Sequence, residues 1–376
     1  MQSPFTELQL FITGPIYVRP EVREAGLWPE FGHRDAENRK RFEPIMKNLK
    51  ILAGAPDDYE VIIFNGSGTT AMEASIRSLV ADGEKVLNVS VGAFGDLYHK
   101  IAVVNSKDAV QLKFDPGSCI DTARLQEALD EHRPAVVSLT HNETSTGVTN
   151  DIKAACEVIR RSGALALVDG ISIFGGSPSH IADTRCAMYT ASTQKSLGLP
   201  AGFGVAFVSP EAVGKAEKVS SRGLVSDILA QLPRARKFQT LTTPNCTLAN
   251  QMYLQMEYIV NEEGVENRFK RHIRMRDAVH EFVSGLEGFE LFAPEGHRSP
   301  TVTCVRAPES VTASRLKEIK EILREKGYLF DPGYGKLNDA LEQAGKRAVF
   351  RIGHMGDMNM DLLNEYLQTL KGILRA

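Results

Sequence analysis

VIIFNGSGTTAMEASIRSLV, residues 61–80, decides the architecture because its periodicity changes in the middle. Four consecutive apolar residues (61–64) suit a buried strand, and Asn65-Gly66-Ser67-Gly68-Thr69-Thr70 supplies the small and hydroxylated residues of a turn. Residues 69–80 then follow a helical pattern. The unit recurs along the chain. Apolar runs at 86–91, 135–140, 164–168 and 204–208 read as further buried strands, with helices at 122–131 and 152–161 between them. Strands alternating with helices imply right-handed crossovers onto a largely parallel sheet, so the fold class is α/β.

Beyond residue 248 the pattern shifts. Helical stretches at 248–260, 266–286, 313–326 and 360–374 are interrupted by short strand candidates at 301–305 and 349–352, which suits a separate α+β domain. A chain of 376 residues exceeds the usual size of one domain. The expected division is a large domain over 15–250 and a small C-terminal domain over 251–376, with the N-terminal segment 1–14 packing near the latter.

Composition excludes several classes. A net charge of −3 without a concentrated basic face gives no reason to expect a nucleic-acid partner. The densest basic stretch, residues 34–50, also carries Asp35, Glu37 and Glu43 and reads as a solvated helical face. Cys119, Cys156, Cys186, Cys246 and Cys304 are odd in number and never spaced C-x-x-C, which argues against a disulfide framework or a zinc site and for a reducing compartment. The scattered histidines form no metal-ligand pair, so no metal is expected. The start MQSPFTELQLFITGP lacks the features of a signal peptide, and no apolar run is long enough to span a bilayer. No membrane association and a cytoplasmic location are the resulting expectations.

In an open parallel sheet, ligands bind at the carboxyl ends of the strands, so the residues just after each apolar run matter most. The turn at 65–70 could close backbone N–H groups around a phosphate at a helix N-terminus, or simply connect strand to helix with a hydroxyl cap. Asp169 ends an apolar run, where a charge is costly without a partner; it is either a cap or salt-bridge residue, or the counter-charge to a protonated ring nitrogen. Lys195, in STQKSLGLPAG (192–202), sits between an apolar run and a Gly/Pro-rich turn. Most lysines are surface charge, but one in this setting can be desolvated enough to attack a carbonyl as the neutral amine.

Eight stretches in order, FITGP (11–15), FGHRD (31–35), NGSGTTAMEA (65–74), HNETSTG (141–147), LVDGISIFGG (167–176), STQKSLGLPAG (192–202), TLTTPN (240–245) and FRIGHMG (350–356), make the chain similar to class V aminotransferases of the alanine–glyoxylate, serine–pyruvate and 2-aminoethylphosphonate group. The resemblance implies pyridoxal-phosphate fold type I, a mostly parallel seven-stranded sheet flanked by helices, and pyridoxal 5′-phosphate as cofactor. It implies that Lys195 forms the Schiff base and carries the transferred proton, and that Asp169 keeps the ring nitrogen protonated. Ser67, Gly68, Thr69 and Gln194 would hold the phosphate, and Thr144 would sit near the ring hydroxyl. Phe94, in GAFGD (92–96), would lie against the cofactor face, or is a core residue at a helix start. Arg351 would bind the substrate α-carboxylate through its two-pronged donor group, with the backbone of Gly14 close by. Thr242 would reach the phosphate of a neighbouring subunit, making the active sites shared within a homodimer. His33 and Arg34 would be structural, near a dimer interface or the site entrance, and His141 and His354 either line the site or are structural.

The reaction so implied is a ping-pong transfer of an amino group from a small amino acid, alanine or serine, to a 2-oxo acid, glyoxylate or pyruvate. The alternatives are a 2-aminoethylphosphonate or phosphoserine transaminase and, further off, a lyase such as a cysteine desulfurase. A desulfurase needs a mobile nucleophilic cysteine, and none of the five cysteines has a loop setting of that kind. A nucleotide-binding protein using NGSGTT would lack the Gly-Lys-Ser/Thr ending of a P-loop and the dinucleotide glycine spacing. A scaffold without chemistry would have little reason to keep Lys195, Asp169 and Arg351 together.

Overall fold

Each apolar run forms a strand. In the computed structural model, which describes residues 6–375, strand β1 spans Glu60–Asn65, β2 Lys85–Ser90, β3 Asp108–Lys113, β4 Val136–Thr140, β5 Leu165–Asp169, β6 Met188–Ser192 and β7 Phe203–Val208. They make one sheet in the order β3-β2-β4-β5-β6-β7-β1, in which β7 alone runs antiparallel to its neighbours. Strands β4, β6 and β7 are buried at every position, as expected of a parallel sheet covered on both faces by helices. Two of the seven, β3 and β6, were not among the runs picked out as strands. Strand β3 is a sheet edge, half-exposed and polar enough to break the apolar signal, and β6 (MYTAS) mixes hydroxyls into a buried segment.

Register places the chemistry. Thr140 lies opposite Asp169, Asp169 opposite Thr190, Gly204 opposite Ser192 and Phe203 opposite Asn65, so the ends of β4, β5, β6 and β1 form one edge. The helix Gly68–Leu79 starts at that edge, with Ser67 at its N-cap and the Ser67 N–H donating to Thr70 Oγ1 at 3.2 Å.

In the C-terminal part, β8 (Glu290–Leu291), β9 (Val302–Arg306) and β10 (Val349–Gly353) form an antiparallel sheet. Residues of the helices Val265–Ser284, Ala313–Glu325 and Met360–Leu374 complete its core. The N-terminal strand Gln9–Leu10 pairs in parallel with Tyr328–Leu329, and Phe11 stacks on Tyr366 with ring centroids 3.7 Å apart. The segment expected near this domain pairs with it at residues 9 and 10 and puts Phe11 into its core, while residues 1–5 lie outside the described range. The chain then crosses β10 closely. Gly353 N–H donates to the Phe11 carbonyl at 3.0 Å, and a Cβ at Gly353 would lie 2.2 Å from the Ile12 carbonyl oxygen. That crossing delivers Thr13 and Gly14 to the edge of the large sheet.

The helix Cys246–Glu257 packs with the large core through Leu248, Met252 and Met256, whereas Met275, Val279 and Val283 belong to the second core. We therefore propose the domain division near Gly264, between the π-helical turn Tyr258–Glu263 and the helix Val265–Ser284, rather than at residue 250. Among the described residues no helix is long and apolar enough to cross a membrane.

Candidate active site

The phosphate-type turn and the carboxylate at the end of β5 meet. A Cβ on Gly68 would fall 2.4 Å from Ile171 Cδ1 and 3.1 Å from Ser192 Cβ, so only glycine lets the helix start pass between the ends of β5 and β6. Thr69 is exposed beside it. Ser192 Oγ and Gln194 Oε1 are buried without a hydrogen-bond partner among the described residues. Next to the positive end of a helix, the Ser192 hydroxyl can donate to an anionic group, and the Gln194 side chain can do so through its amide Nε2, since its Oε1 only accepts.

Asp169 is 4% exposed, and its Oδ1 accepts the Ile171 N–H at 2.8 Å. Burial pushes its carboxyl up to about 7; the Ile171 N–H works against that shift, the Glu143 charge adds to it, and Lys195 opposes it. A carboxylate this buried and this sparingly hydrogen-bonded suits a cationic partner such as a protonated ring nitrogen. Ring and phosphate requirements of pyridoxal phosphate thus both find matching groups at one sheet edge.

Lys195 stands at the junction of the two domains. Its Nζ donates to the Thr13 carbonyl, and a Cβ on Gly14, where φ is +120°, would lie 2.8 Å from Nζ. Gly14, expected beside a substrate carboxylate, is therefore packed against the lysine. Burial, and then the Arg351 charge, lower the Lys195 ammonium to about 8, against the opposing pull of Asp169 and Asp331. An amine lowered to that value has a neutral fraction near pH 7, as nucleophilic attack requires.

Arg351 on β10 is not free. Its Nη2 pairs with Asp331 Oδ2 at 3.0 Å, its Nη1 donates to the Thr144 carbonyl at 3.0 Å, and its Nε is buried without a partner. Thr144 thus meets the site through its backbone. Asp331 was missed in the sequence, although it ends the apolar Tyr328-Leu329-Phe330 run just as Asp169 ends that of β5.

Glu143 was missed too. Fully buried, it accepts the Phe94 N–H at 3.0 Å and the Gly95 N–H at 3.3 Å, together with the Ser145 N–H at 3.0 Å. Its carboxylate caps the positive end of the helix Ala93–Val104 and fixes the backbone of half-buried Phe94. FGHRD and TLTTPN, distant in sequence, also meet. Arg34 Nη1 donates to the Thr240 carbonyl at 2.7 Å and Nη2 to the Leu241 carbonyl at 2.6 Å, while Thr242 Oγ1 accepts from Asn65 Nδ2 at 2.8 Å. Within its own chain, Thr242 is therefore held beside Asn65, the residue that opens the glycine-bearing turn. For His33, half-buried beside Arg34, burial and then the Arg34 and Arg234 charges lower the imidazole below its ordinary value.

His141 Nδ1 lies 2.9 Å from the Tyr189 hydroxyl, and His354 Nε2 lies 2.9 Å from Thr303 Oγ1. Burial lowers each imidazole to about 3, so both stay neutral. Burial also pushes the Cys186 and Cys304 thiols up to about 12, far from the thiolate a desulfurase would use.

Behind the lysine, the fully buried Arg268 ties the site's segments together. It donates from Nε to the Gly175 carbonyl (2.9 Å), from Nη2 to the Ser196 carbonyl (2.5 Å), and from Nη1 to Glu263 Oε2 and Asp357 Oδ1 (each 2.7 Å). Those acceptors follow Asp169, Lys195 and Arg351 in the chain, apart from Glu263 on the π-helical turn. Nothing in VENRFKRHIRMRD marks Arg268 off from its charged neighbours.

The shifted carboxyl predicts a pH dependence for the cofactor-free protein. Because Asp169 titrates near 7 when folded and near 3.8 as a free side chain, the folded state holds more protons between those values, and stability falls as pH rises through that window. Urea unfolding should show the wild type losing stability relative to Asp169→Asn from about pH 4 to about pH 7. Parallel curves for the two proteins would contradict the buried, raised carboxyl.

The class V aminotransferase family matches residues 27–352. The chain is 34% identical over 352 residues to an uncharacterized aminotransferase of Methanocaldococcus jannaschii, covering 92% of this chain and 87% of that one. It is 31% identical over 364 residues to the serine–glyoxylate aminotransferase of Methylorubrum extorquens, covering 93% and 87%. The crystal structure of alanine–glyoxylate aminotransferase from Nostoc sp. superposes with a TM-score of 0.90 at 25% identity, covering 100% of this chain and 98% of that one. With Lys195, Asp169 and the glycine-bearing turn at one sheet edge, the chain belongs to the class V aminotransferases and is a pyridoxal-phosphate-dependent enzyme of fold type I.

Proposed function

We propose that this aminotransferase moves an amino group from a small amino acid, alanine or serine, to glyoxylate or pyruvate by a ping-pong mechanism. The observation that carries the reading is Lys195, part-buried with its Nζ on the Thr13 carbonyl and its ammonium under the charges of Arg351, Asp169 and Asp331. The serine–glyoxylate and alanine–glyoxylate activities named for two relatives support the choice of partners. Pyridoxal phosphate, when bound, supplies the electrophilic aldehyde and an electron-withdrawing ring.

The chain's residues supply the rest. Ser67, Gly68 and Thr69 would hold the phosphate at the helix N-terminus, Gly68 and Thr69 through their N–H groups, since the Ser67 N–H is engaged by Thr70 Oγ1, and the Gln194 side chain would add a partner. Asp169 would keep the ring nitrogen protonated, Thr144 would serve the ring hydroxyl and Phe94 would take the ring face. Lys195 Nζ, oriented by the Thr13 carbonyl, would take a proton from the substrate Cα and deliver it to the cofactor C4′, on the far side of the transferred nitrogen. Arg351 receives the substrate carboxylate through Nε and its remaining N–H groups. In a homodimer, Thr242 serves the phosphate of the partner subunit's site.

A half-reaction screen tests the reading. L-alanine or L-serine, added without a 2-oxo acid, should discharge the cofactor's visible absorbance once per active site, and glyoxylate or pyruvate should restore it. A holoenzyme whose spectrum responds to no amino donor would refute the proposal.

A further inference from the structure

The guanidinium assigned to the substrate already has a carboxylate on it. Asp331 approaches Arg351 Nη2 through both oxygens, Oδ2 at 3.0 Å and Oδ1 at 3.2 Å, and the pair is almost wholly buried, with side chains 7% and 10% exposed. The carboxylate is fixed in place. Arg351 N–H donates to the Asp331 carbonyl at 3.0 Å, Gly333 N–H to Oδ1 at 3.1 Å and the Thr13 hydroxyl to Oδ2 at 3.3 Å. Gly333 is itself pressed on β10, since a Cβ there would lie 2.2 Å from the Val349 carbonyl oxygen. Asp331 is thus a permanent counter-charge, held by backbone and side-chain bonds on both of its flanks.

We propose that Asp331 is a specificity-determining residue: by balancing the charge of Arg351 it confines that position to a group carrying one negative charge, a carboxylate, and turns away a doubly charged phosphonate or phosphate. The inference rests on the reading of Arg351 as the substrate anion site. Arg351 and Asp331 together are neutral, so a monocarboxylate brings this corner to a net charge of −1 and a dianion to −2. In a site shielded from water, the second charge meets the Asp331 carboxylate with little screening. Geometry acts in the same direction. With Nη2 and Nη1 already donating to Asp331 and Thr144, the partnerless Nε and the N–H groups left over match the two oxygens of a carboxylate better than the three of a phosphonate. Aminophosphonate donors are therefore disfavoured by a residue on this chain.

Equilibrium binding of two unreactive analogues tests this without turnover. Propionate and ethylphosphonate, matched in carbon skeleton, are titrated calorimetrically into the holoenzyme at pH 9, where the phosphonate is mostly doubly charged. The wild type should prefer propionate at least about tenfold, and Asp331→Asn should lower that preference about tenfold by tightening ethylphosphonate, whereas Asp331→Glu should retain it. An unchanged preference in Asp331→Asn would overturn the proposal. In the wild type alone, ethylphosphonate should bind more tightly at pH 6 than at pH 9 relative to propionate; the opposite order would overturn it even if Asp331→Asn did not fold. Arg351→Met separates the two levels of the argument. If it leaves both analogues bound as in the wild type, the assignment of Arg351 fails and takes the proposal with it; if it weakens both, a failure at Asp331 belongs to Asp331 alone.

Discussion

Lys195→Ala is expected to lower the rate of the amino-donor half-reaction by about a thousandfold or more and to abolish the amino-acid-dependent change in visible absorbance. The size of the effect follows from the absence of a stand-in. His141 and His354 are buried and neutral, each with a ring nitrogen engaged by a hydroxyl. Asp169 lies at the end of β5, where its raised carboxyl is committed to a positive partner. Unfolding does not explain such a loss. The fold lowers the Lys195 ammonium from 10.5 to about 8, so below pH 8 the buried charge weakens the folded state, and its stability contribution improves as pH rises between those two values. The alanine variant should therefore unfold at a urea concentration no lower than the wild type, compared cofactor-free at pH 7. Retention of activity within tenfold would remove Lys195 from the centre of the mechanism.

Arg268→Met is expected to destabilise the folded protein by about 3–5 kcal/mol, because it strips a cation from two buried carboxylates at once. Glu263 and Asp357 are 9% and 2% exposed in their side chains and would keep Arg271 as a shared partner at 2.6 and 3.5 Å. Arg19 Nε, 3.5 Å from Asp357, compensates only that carboxylate. The Gly175 and Ser196 carbonyls would lose their donor as well. A shift of the urea midpoint at constant slope reads the loss directly. A change below about 1 kcal/mol would mean that the remaining arginines suffice and that Arg268 does not hold the site's segments together.

Much of the site was legible because its main residues sit where local pattern ends. Asp169 terminates an apolar strand, Lys195 follows another, and Gly68 lies between strand and helix; each is marked by a break in hydrophobic periodicity within a few residues. The same break preceded Asp331, and its meaning was masked by Pro332 and Gly333, which make the stretch look like an ordinary turn. Glu143 stood inside a recognised motif without a role, since the N–H groups it caps belong to a helix that begins fifty residues earlier.

The sequence by itself determined the α/β class and the alternation that builds the sheet, and it marked a lysine, a carboxylate and a glycine-bearing turn just after strands, because periodicity and turn chemistry act over a few residues. Tertiary structure decided which distant groups share a charge or a donor. Only the docking of the two domains sets Gly14 against Lys195 and Arg268 behind it, and only the crossing of the N-terminal strand over β10 brings Thr13 to Asp331. Arg34 likewise meets residues 240 and 241 through packing alone. A side-chain pair far apart in sequence leaves no local trace, because its energy depends on the separation and burial that folding creates. For Arg351 the difference is chemical: the sequence identified a guanidinium suited to an anion, and the fold placed Asp331 beside it.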